Sequence, residues 1–360
     1  MLIVDAHLDL AMNALQWNRD LLASVYSIRT QENYTPGKGR GQGTVAYPEM
    51  RRGRVALSFA TLIARSTGRP VPHIDYASPA QACGVARGQL AYYRALEQQG
   101  HLRILTDLAS LNGHVAEWEA WDEAHPRDAA GGPPLGIVVS LEGADPILRP
   151  ADVAAWHAGG LRIIGLTHYG PGRYAGGTGT EAGLTELGIQ LLDEMARRGV
   201  LLDLTHSSDQ AFWQTLARWD GIVLASHNNC RALVPHQRQF SDDQIRAIIA
   251  RDGVIGVALD CWMIVPGWRH GDPNEHISLR DVIDHVDHIC HLAGNCRHVA
   301  IGTDLDGGFG REGTPHDLDT IADLQTIPKL LEERRYPAAD IAAIMHGNWL
   351  RLLRGAWGGA

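Results

Sequence analysis

Cysteine is scarce in this chain and follows no pattern. The five residues, Cys83, Cys230, Cys261, Cys290 and Cys296, are odd in number and include no C-x-x-C pair, which argues against a disulfide framework and for a reducing compartment. Basic runs are missing as well. With 32 basic residues against 41 acidic ones and a net charge of −9, the chain offers neither a nucleic-acid footprint nor a polybasic membrane patch. No apolar run reaches the roughly 18 residues that a membrane helix needs. His7 already lies in the first apolar segment, so no cleavable signal peptide is expected. Nor does a G-x-G-x-x-G open any strand-to-helix unit, which speaks against a dinucleotide site. These absences lead us to expect a soluble, cytoplasmic protein that engages no nucleic acid and no membrane, and whose partner is a small molecule.

What is present is a repeated alternation. At 360 residues and 45% apolar content, the chain can bury a large core. Short apolar, β-branched runs recur: LIVDAH from residue 2, VALSFATLIA from 55, GIVVSLE from 136, LRIIGLTH from 161, GVLLDLTH from 199, GIVLASH from 221, GVIGVALD from 253 and HVAIGTDLDG from 298. Between them lie helix-like stretches such as LTELGIQLLDEMARRG and DDQIRAIIARDG, each closed by a glycine. Continuous apolar strands alternating with amphipathic helices mean a parallel sheet covered by helices. Eight such units predict a (β/α)8 TIM-type barrel spanning residues 1–360 as a single domain, with an open doubly wound sheet as the weaker alternative. Two segments exceed ordinary connections. Residues 17–54, containing GKGRGQG, read as a long loop over the barrel mouth. Residues 65–134 carry two helix-like runs, a short strand candidate RILTD and the Pro/Gly-rich loop AHPRDAAGGPP.

The polar residues that end these runs carry the chemistry. His7 and Asp9 in VDAHLDL sit two apart, so a strand would point both to one face. Taken alone, that pair could hold a metal ion or form a buried hydrogen bond. The later runs end in Glu142, His168, His206, His227 and Asp304, and a barrel brings all these ends to the rim where enzymes of the fold place their chemistry. Four histidines and three acids on one rim would each need a separate buried partner if they were structural. A metal site accounts for them together. Imidazole and carboxylate without thiolate suit zinc, with manganese, cobalt or iron as alternatives. The set exceeds the three protein ligands of a single catalytic zinc, whereas two ions sharing a carboxylate would use it and could hold a bridging hydroxide. Glu142 is the natural bridge, having one oxygen for each ion.

The segments VDAHLDL, SLEGADP, GLTHYGPGRYAGG, DLTHSS, SHNNCRALVPHQRQFSDDQ, HVAIGTDLDGG and GNWLRLL together resemble the membrane (renal) dipeptidase family of zinc peptidases, amidohydrolase-like barrels, over nearly the full length. The resemblance implies two Zn2+ per chain, one bound by His7, Asp9 and Glu142 and the other by Glu142, His206 and His227. It also implies that His168 contacts the scissile carbonyl and that Arg238 binds the substrate. Asp304 would take a proton from the bridging water and pass it to the leaving amine. A homodimer is a further implication. The chain departs from the family at Asp145, where some relatives carry histidine, and at Ala11 and Met12, where the animal enzymes carry a tryptophan. These positions belong to the pocket and not to the ligands, so the substrate stays open: a small dipeptide, or an N-acyl amino acid or lactone hydrolysed at the same site. A catalytically dead ligand-binding barrel is the reading from a different class.

Other suggestive residues read as structural. His285, His288 and His291 in DHVDHICHLAGNCRH are expected on the outer faces of a helix whose Val282, Val286, Ile289 and Ala293 face the core. Trp118 and Trp121 are expected to cover the barrel exterior. Asp203 either orients a metal ligand or fills the barrel.

Overall fold

The computed structural model describes residues 1–125 and 131–358; the loop AHPRDAAGGPP falls in part on residues 126–130, outside the described residues. Nine strands form one parallel sheet: β1 (Ile3–Leu8), β2 (Val55–Ile63), β3 (Leu102–Ile104), β4 (Leu135–Glu142), β5 (Leu161–Gly165), β6 (Leu201–Asp203), β7 (Val223–Ala225), β8 (Val254–Val257) and β9 (Val299–Ile301). Eight of them run in the order β1-β2-β4-β5-β6-β7-β8-β9, and helices follow most of them, giving a nearly closed (β/α)8 TIM-type barrel. The ninth strand is β3, which begins at Leu102 and takes in only Arg103 and Ile104 of the expected RILTD segment. It pairs with residues 135–137 of β4, ahead of the stretch 139–142 that pairs with β5.

Every residue of β1, β2 and β4 is buried, as a sheet covered on both faces requires. Alternate side chains divide into two layers. Val4, Leu57, Phe59, Val138, Ile163, Leu201, Leu224, Val254 and Ala300 fill the interior, and Trp349 plugs it from the side of the strand starts. Trp349 packs edge-on to Phe59 with ring centroids 5.1 Å apart and donates its indole N–H to Ile301 O at 2.8 Å. The GNWLRLL segment therefore closes the barrel floor. Helices pack outside. The helix Glu186–Ala196, for example, is capped by Thr185 and buries Leu191, Leu192 and Met195 against the strands.

The segment 17–54 is more ordered than a loop, because it contains the helices Val25–Gln31 and Tyr47–Arg52. It is fastened to the end of β9 by Asp306, whose carboxylate accepts from Thr44 N at 2.8 Å, Thr44 Oγ1 at 2.8 Å, Val45 N at 3.2 Å and Arg19 Nη1 at 3.1 Å. Among the described residues no helix is long and apolar enough to cross a membrane.

Candidate active site

Apart from Arg238, which lies in the loop after β7, each expected site residue stands at or just past a strand end, and the barrel brings them to one rim. His7 lies in β1 with Asp9 just beyond it, and Glu142 ends β4. His206 and Asp304 follow β6 and β9 with φ of 66° and 60°. That left-handed backbone is costly for residues other than glycine and is characteristic of functional turns; here it swings both side chains inward.

Glu142 is the centre of the cluster. Its Oε2 lies 3.6 Å from His7 Nε2, while its Oε1 lies 3.1 Å from His206 Nε2 and 3.4 Å from His227 Nε2. The two imidazoles approach each other at 3.1 Å between Nε2 atoms. His7 Nε2 is also 4.0 Å from Asp9 Oδ1 and 3.7 Å from Asp304 Oδ1. His168 stands at the edge, with Nε2 3.7 Å from Glu142 Oε1. Behind the first three histidines lies a layer of hydroxyls. Thr178 Oγ1 meets His206 Nδ1 at 3.1 Å, Ser226 Oγ meets His227 Nδ1 at 2.9 Å, and Thr61 Oγ1 lies 3.4 Å from His7 Nδ1. Asp203 orients rather than fills: its Oδ1 accepts from Thr205 N at 3.0 Å and Ser226 N at 3.1 Å, tying the turns that carry His206 and His227.

The residues fit a metal ion. His7 Nε2 and Asp9 Oδ1 are buried with no hydrogen-bond partner, a cost that a cation would remove. Three overlapping groups have ligand atoms within reach of a common ion: His7, Glu142 and His227; Glu142, His168 and His206; and His7, Asp9 and Asp304. The protonation equilibria report the crowding of negative charge. Burial, reinforced by Glu142, pushes Asp9 up to about 7, and burial with Glu142 and Asp9 pushes Asp304 well above the ordinary carboxylate range. His7 is pulled down by burial, but Glu142, Asp9 and Asp304 outweigh this and hold it at about 10. His206 and His227 are driven well below the usual imidazole range, first by burial and then by neighbouring cations. They stay neutral, as nitrogen ligands must, whereas His7 holds a proton that a bound cation would displace.

The cluster floors a cavity of about 300 Å3. Arg238 lines it and is only 2% exposed, so it is not the solvated loop arginine its sequence surroundings would suggest. Its Nη1 donates to Asn228 Oδ1 at 2.5 Å and its Nη2 to His227 O at 2.8 Å, while Nε is left without a partner. Asp306, the acid nearest Asp304 in sequence, is consumed by its clamp on Thr44 and Arg19 and does not reach the cavity wall.

Among the lining residues that escape the sequence reading are the charged side chains of Lys38, Arg65 and Asp260. Arg65 and Asp260 follow β2 and β8, so the rule that picked out the other strand ends would have found them. Asp260 Oδ2 pairs with His270 Nε2 at 3.2 Å and its Oδ1 is buried without a partner. The histidine-rich helix Leu279–Ala293 is structural as expected, although His285 faces inward and is fully buried. His285 Nδ1 accepts from Cys230 N at 3.1 Å and its Nε2 donates to Ile264 O at 3.0 Å. Trp118 is likewise buried, under Pro134 O.

Comparison with known proteins points to metallopeptidases. The family model for membrane dipeptidases, peptidase family M19, matches residues 1–357. An uncharacterized Klebsiella pneumoniae protein encoded in the pqqA 5′ region is 30% identical over 62% of this chain and 83% of its own length. A dipeptidase of Aspergillus oryzae is 30% identical over 61% of the chain, and the match spans about half of that relative, 51%. Among solved structures, a metallopeptidase from Rhodobacter sphaeroides, liganded with a phosphinate mimic of L-Ala-D-Ala, superposes with a TM-score of 0.79 at 22% identity over 99% of each chain. The dipeptidase AC, a metallopeptidase, gives 0.77 at 23% identity over 100% of this chain and 99% of its own.

Proposed function

Because the chain belongs to the membrane dipeptidase family, peptidase family M19, we propose that it hydrolyses the peptide bond of small dipeptides at a binuclear zinc centre. One observation carries the reading: the two oxygens of Glu142 are divided, Oε2 facing His7 at 3.6 Å and Oε1 facing His206 and His227 at 3.1 and 3.4 Å. A carboxylate so placed can serve two ions at once. His7, Asp9 and Glu142 would hold one, and Glu142, His206 and His227 the other; imidazole and carboxylate ligands favour zinc. When bound, two such ions would supply a water that is nucleophilic at neutral pH and would polarise the scissile carbonyl.

The chain's own residues supply the rest. His168 donates a hydrogen bond to the carbonyl oxygen as negative charge builds on it. Arg238 receives the free carboxylate of the dipeptide through the N–H groups not spent on Asn228 and His227, a geometry suited to planar anions. Asp304 takes the proton released by the attacking water and returns it to the leaving amine. Its upward-shifted pKa, caused by burial and the neighbouring acids, suits a group that must hold that proton in between.

The test is a screen of the zinc-loaded protein against L,L and L,D dipeptides, N-acyl amino acids and lactones, with metal analysis on the same preparation. Two zinc ions per chain and preferred turnover of dipeptides are expected. Turnover confined to N-acyl amino acids or lactones would move the assignment to a deacylase or lactonase on the same site, and two bound metals without turnover would leave a binding barrel.

A further inference from the structure

The site histidines are held at Nδ1 by two chemically different kinds of partner. His7, His206 and His227 face the hydroxyls of Thr61, Thr178 and Ser226. A hydroxyl can donate or accept, so these rings can carry their proton on Nδ1 and turn the Nε2 lone pair toward the centre. His168 Nδ1 faces Arg65 Nη1 at 3.0 Å instead, and a guanidinium only donates. The Nδ1 atom must therefore be the acceptor. The proton of the neutral ring then sits on Nε2, the atom that looks toward the cluster, 3.7 Å from Glu142 Oε1.

Arg65 is itself built into place. Its Nε lies 3.5 Å from Asp75 Oδ2, and Asp75 is pinned by Thr67 N at 3.0 Å and Thr67 Oγ1 at 2.6 Å. The Arg65 backbone bonds to Ile74 O at 2.7 Å and accepts from Tyr76 N at 2.8 Å. On the other side, buried Asp145 accepts from Ser66 N and Arg173 N, both at 3.0 Å, so the residue at which this chain departs from some relatives braces the neighbour of Arg65. The arginine side chain is 12% exposed and its charge is compensated by Asp75, which leaves Nη1 to face His168.

We propose that Arg65 is a positioning residue that holds His168 as its Nε2–H tautomer, which makes His168 the hydrogen-bond donor of the cavity and removes it from the set of metal ligands. Distance alone would admit His168 as a ligand, since it shares reach with Glu142 and His206; the donor-only partner at Nδ1 separates it from the other three. The expected turnover and the count of two zinc ions rest on the proposed function, whereas the tautomer and the comparison of metal content between the parent and His168→Asn do not.

The experiment has two arms. Neutron diffraction or imidazole 15N NMR of the zinc-loaded protein, with His168→Asn identifying the signal, should find hydrogen on Nε2 and none on Nδ1 of His168, with two zinc ions retained in both proteins. Hydrogen on Nδ1, or loss of a zinc from His168→Asn, would overturn the proposal whether or not the protein cleaves dipeptides. In the kinetic arm, Arg65→Met should lower kcat by on the order of 10- to 100-fold with KM little changed, less than the roughly 10²- to 10³-fold that outright loss of an oxyanion donor costs, because His168 itself remains. Arg65→Lys, which keeps a donor, should recover part of this. In the His168→Asn background Arg65→Met should cost nothing further. Additive losses, or a loss confined to KM, would show that Arg65 binds substrate directly and would refute the positioning role. If Arg65→Met fails to fold, the tautomer arm still decides.

Discussion

Thr303 clamps Asp5 with two hydrogen bonds, from its backbone N to Oδ1 at 2.9 Å and from its hydroxyl to Oδ2 at 2.6 Å. Among the described residues no ladder pairs β1 with β9, so this contact closes the barrel where the sheet does not. Asp5 Oδ1 also accepts from His7 N at 3.2 Å, which couples closure to the placement of the first site histidine. Thr303→Val should leave a buried carboxylate oxygen without its donor and cost about 1–3 kcal/mol. Urea denaturation checks the stability, and zinc affinity at the His7 side should weaken in the same protein.

Glu142→Gln keeps the shape of the bridge and removes its charge. Because both oxygens are engaged, occupancy of both ions should fall together, as read by metal analysis after dialysis. A variant that keeps two tightly held metals and full activity would sink the bridging role.

Arg238→Ala should harm free dipeptides more than the same dipeptides amidated at the carboxyl end. Loss of a charge-assisted hydrogen bond is worth about 1.5–3 kcal/mol, roughly ten- to a hundredfold in kcat/KM. Arg238 also bonds to the carbonyl of His227, so a smaller, substrate-independent loss should accompany it. Equal losses on acid and amide would mean that it grips something other than the carboxylate.

Asp304→Asn keeps volume but cannot take up or return a proton. General acid–base help is typically worth about 10²- to 10⁴-fold, so kcat should drop by that order while metal content stays near two. If a metal is lost with the activity, Asp304 is a ligand, as its 3.7 Å approach to His7 Nε2 would permit, and the proton must travel by another group. Asp306 is not that group, given its commitment to Thr44 and Arg19.

His285 is expected to make the fold acid-sensitive. Burial holds its pKa down at about 4 against an ordinary 6.5, so between these values the unfolded chain takes up a proton that the folded chain refuses. Its contribution is present above pH 6.5 and is lost as pH falls toward 4, amounting to about 3 kcal/mol at most. Thermal melts of the parent and His285→Gln at pH 7 and pH 5 should show a smaller pH-dependent decline in the variant. An equal decline in both would place the acid sensitivity elsewhere.

The barrel was legible because its strands are buried on both faces, so VALSFATLI and LGIVVSLE read as unbroken apolar runs. The cluster was legible because a parallel barrel sends every strand end to one rim, making position along a run equivalent to position in space. That logic reached His7, Asp9, Glu142, His168, His206, His227 and Asp304, and stopped at residues whose meaning comes from non-periodic contacts. Arg65 and Asp260 also end apolar runs, yet a charge at a run's end ordinarily dissolves in water; only the folded loop carrying Asp75 and the cavity wall at His270 give them partners. His285 departs the other way: its spacing predicts an outer face of its helix, and it is buried because Ile264 O and Cys230 N complete its hydrogen bonding.

The clamp of Asp306 on Thr44 joins residues 262 positions apart in the chain. Closing so long a loop is slow compared with forming local helices, and domains of this size commonly pass through partly assembled states. On a ribosome, the mouth segment would emerge early and wait for almost the whole remaining chain before its anchor appeared. Asp304 arrives at the same moment, two residues ahead of that anchor. Acquisition of a complete catalytic rim should therefore be a late event in biogenesis, and a nascent chain stalled before residue 303 should show helical structure and protease-resistant segments while failing to turn over dipeptides, because it lacks the carboxylate of Asp304.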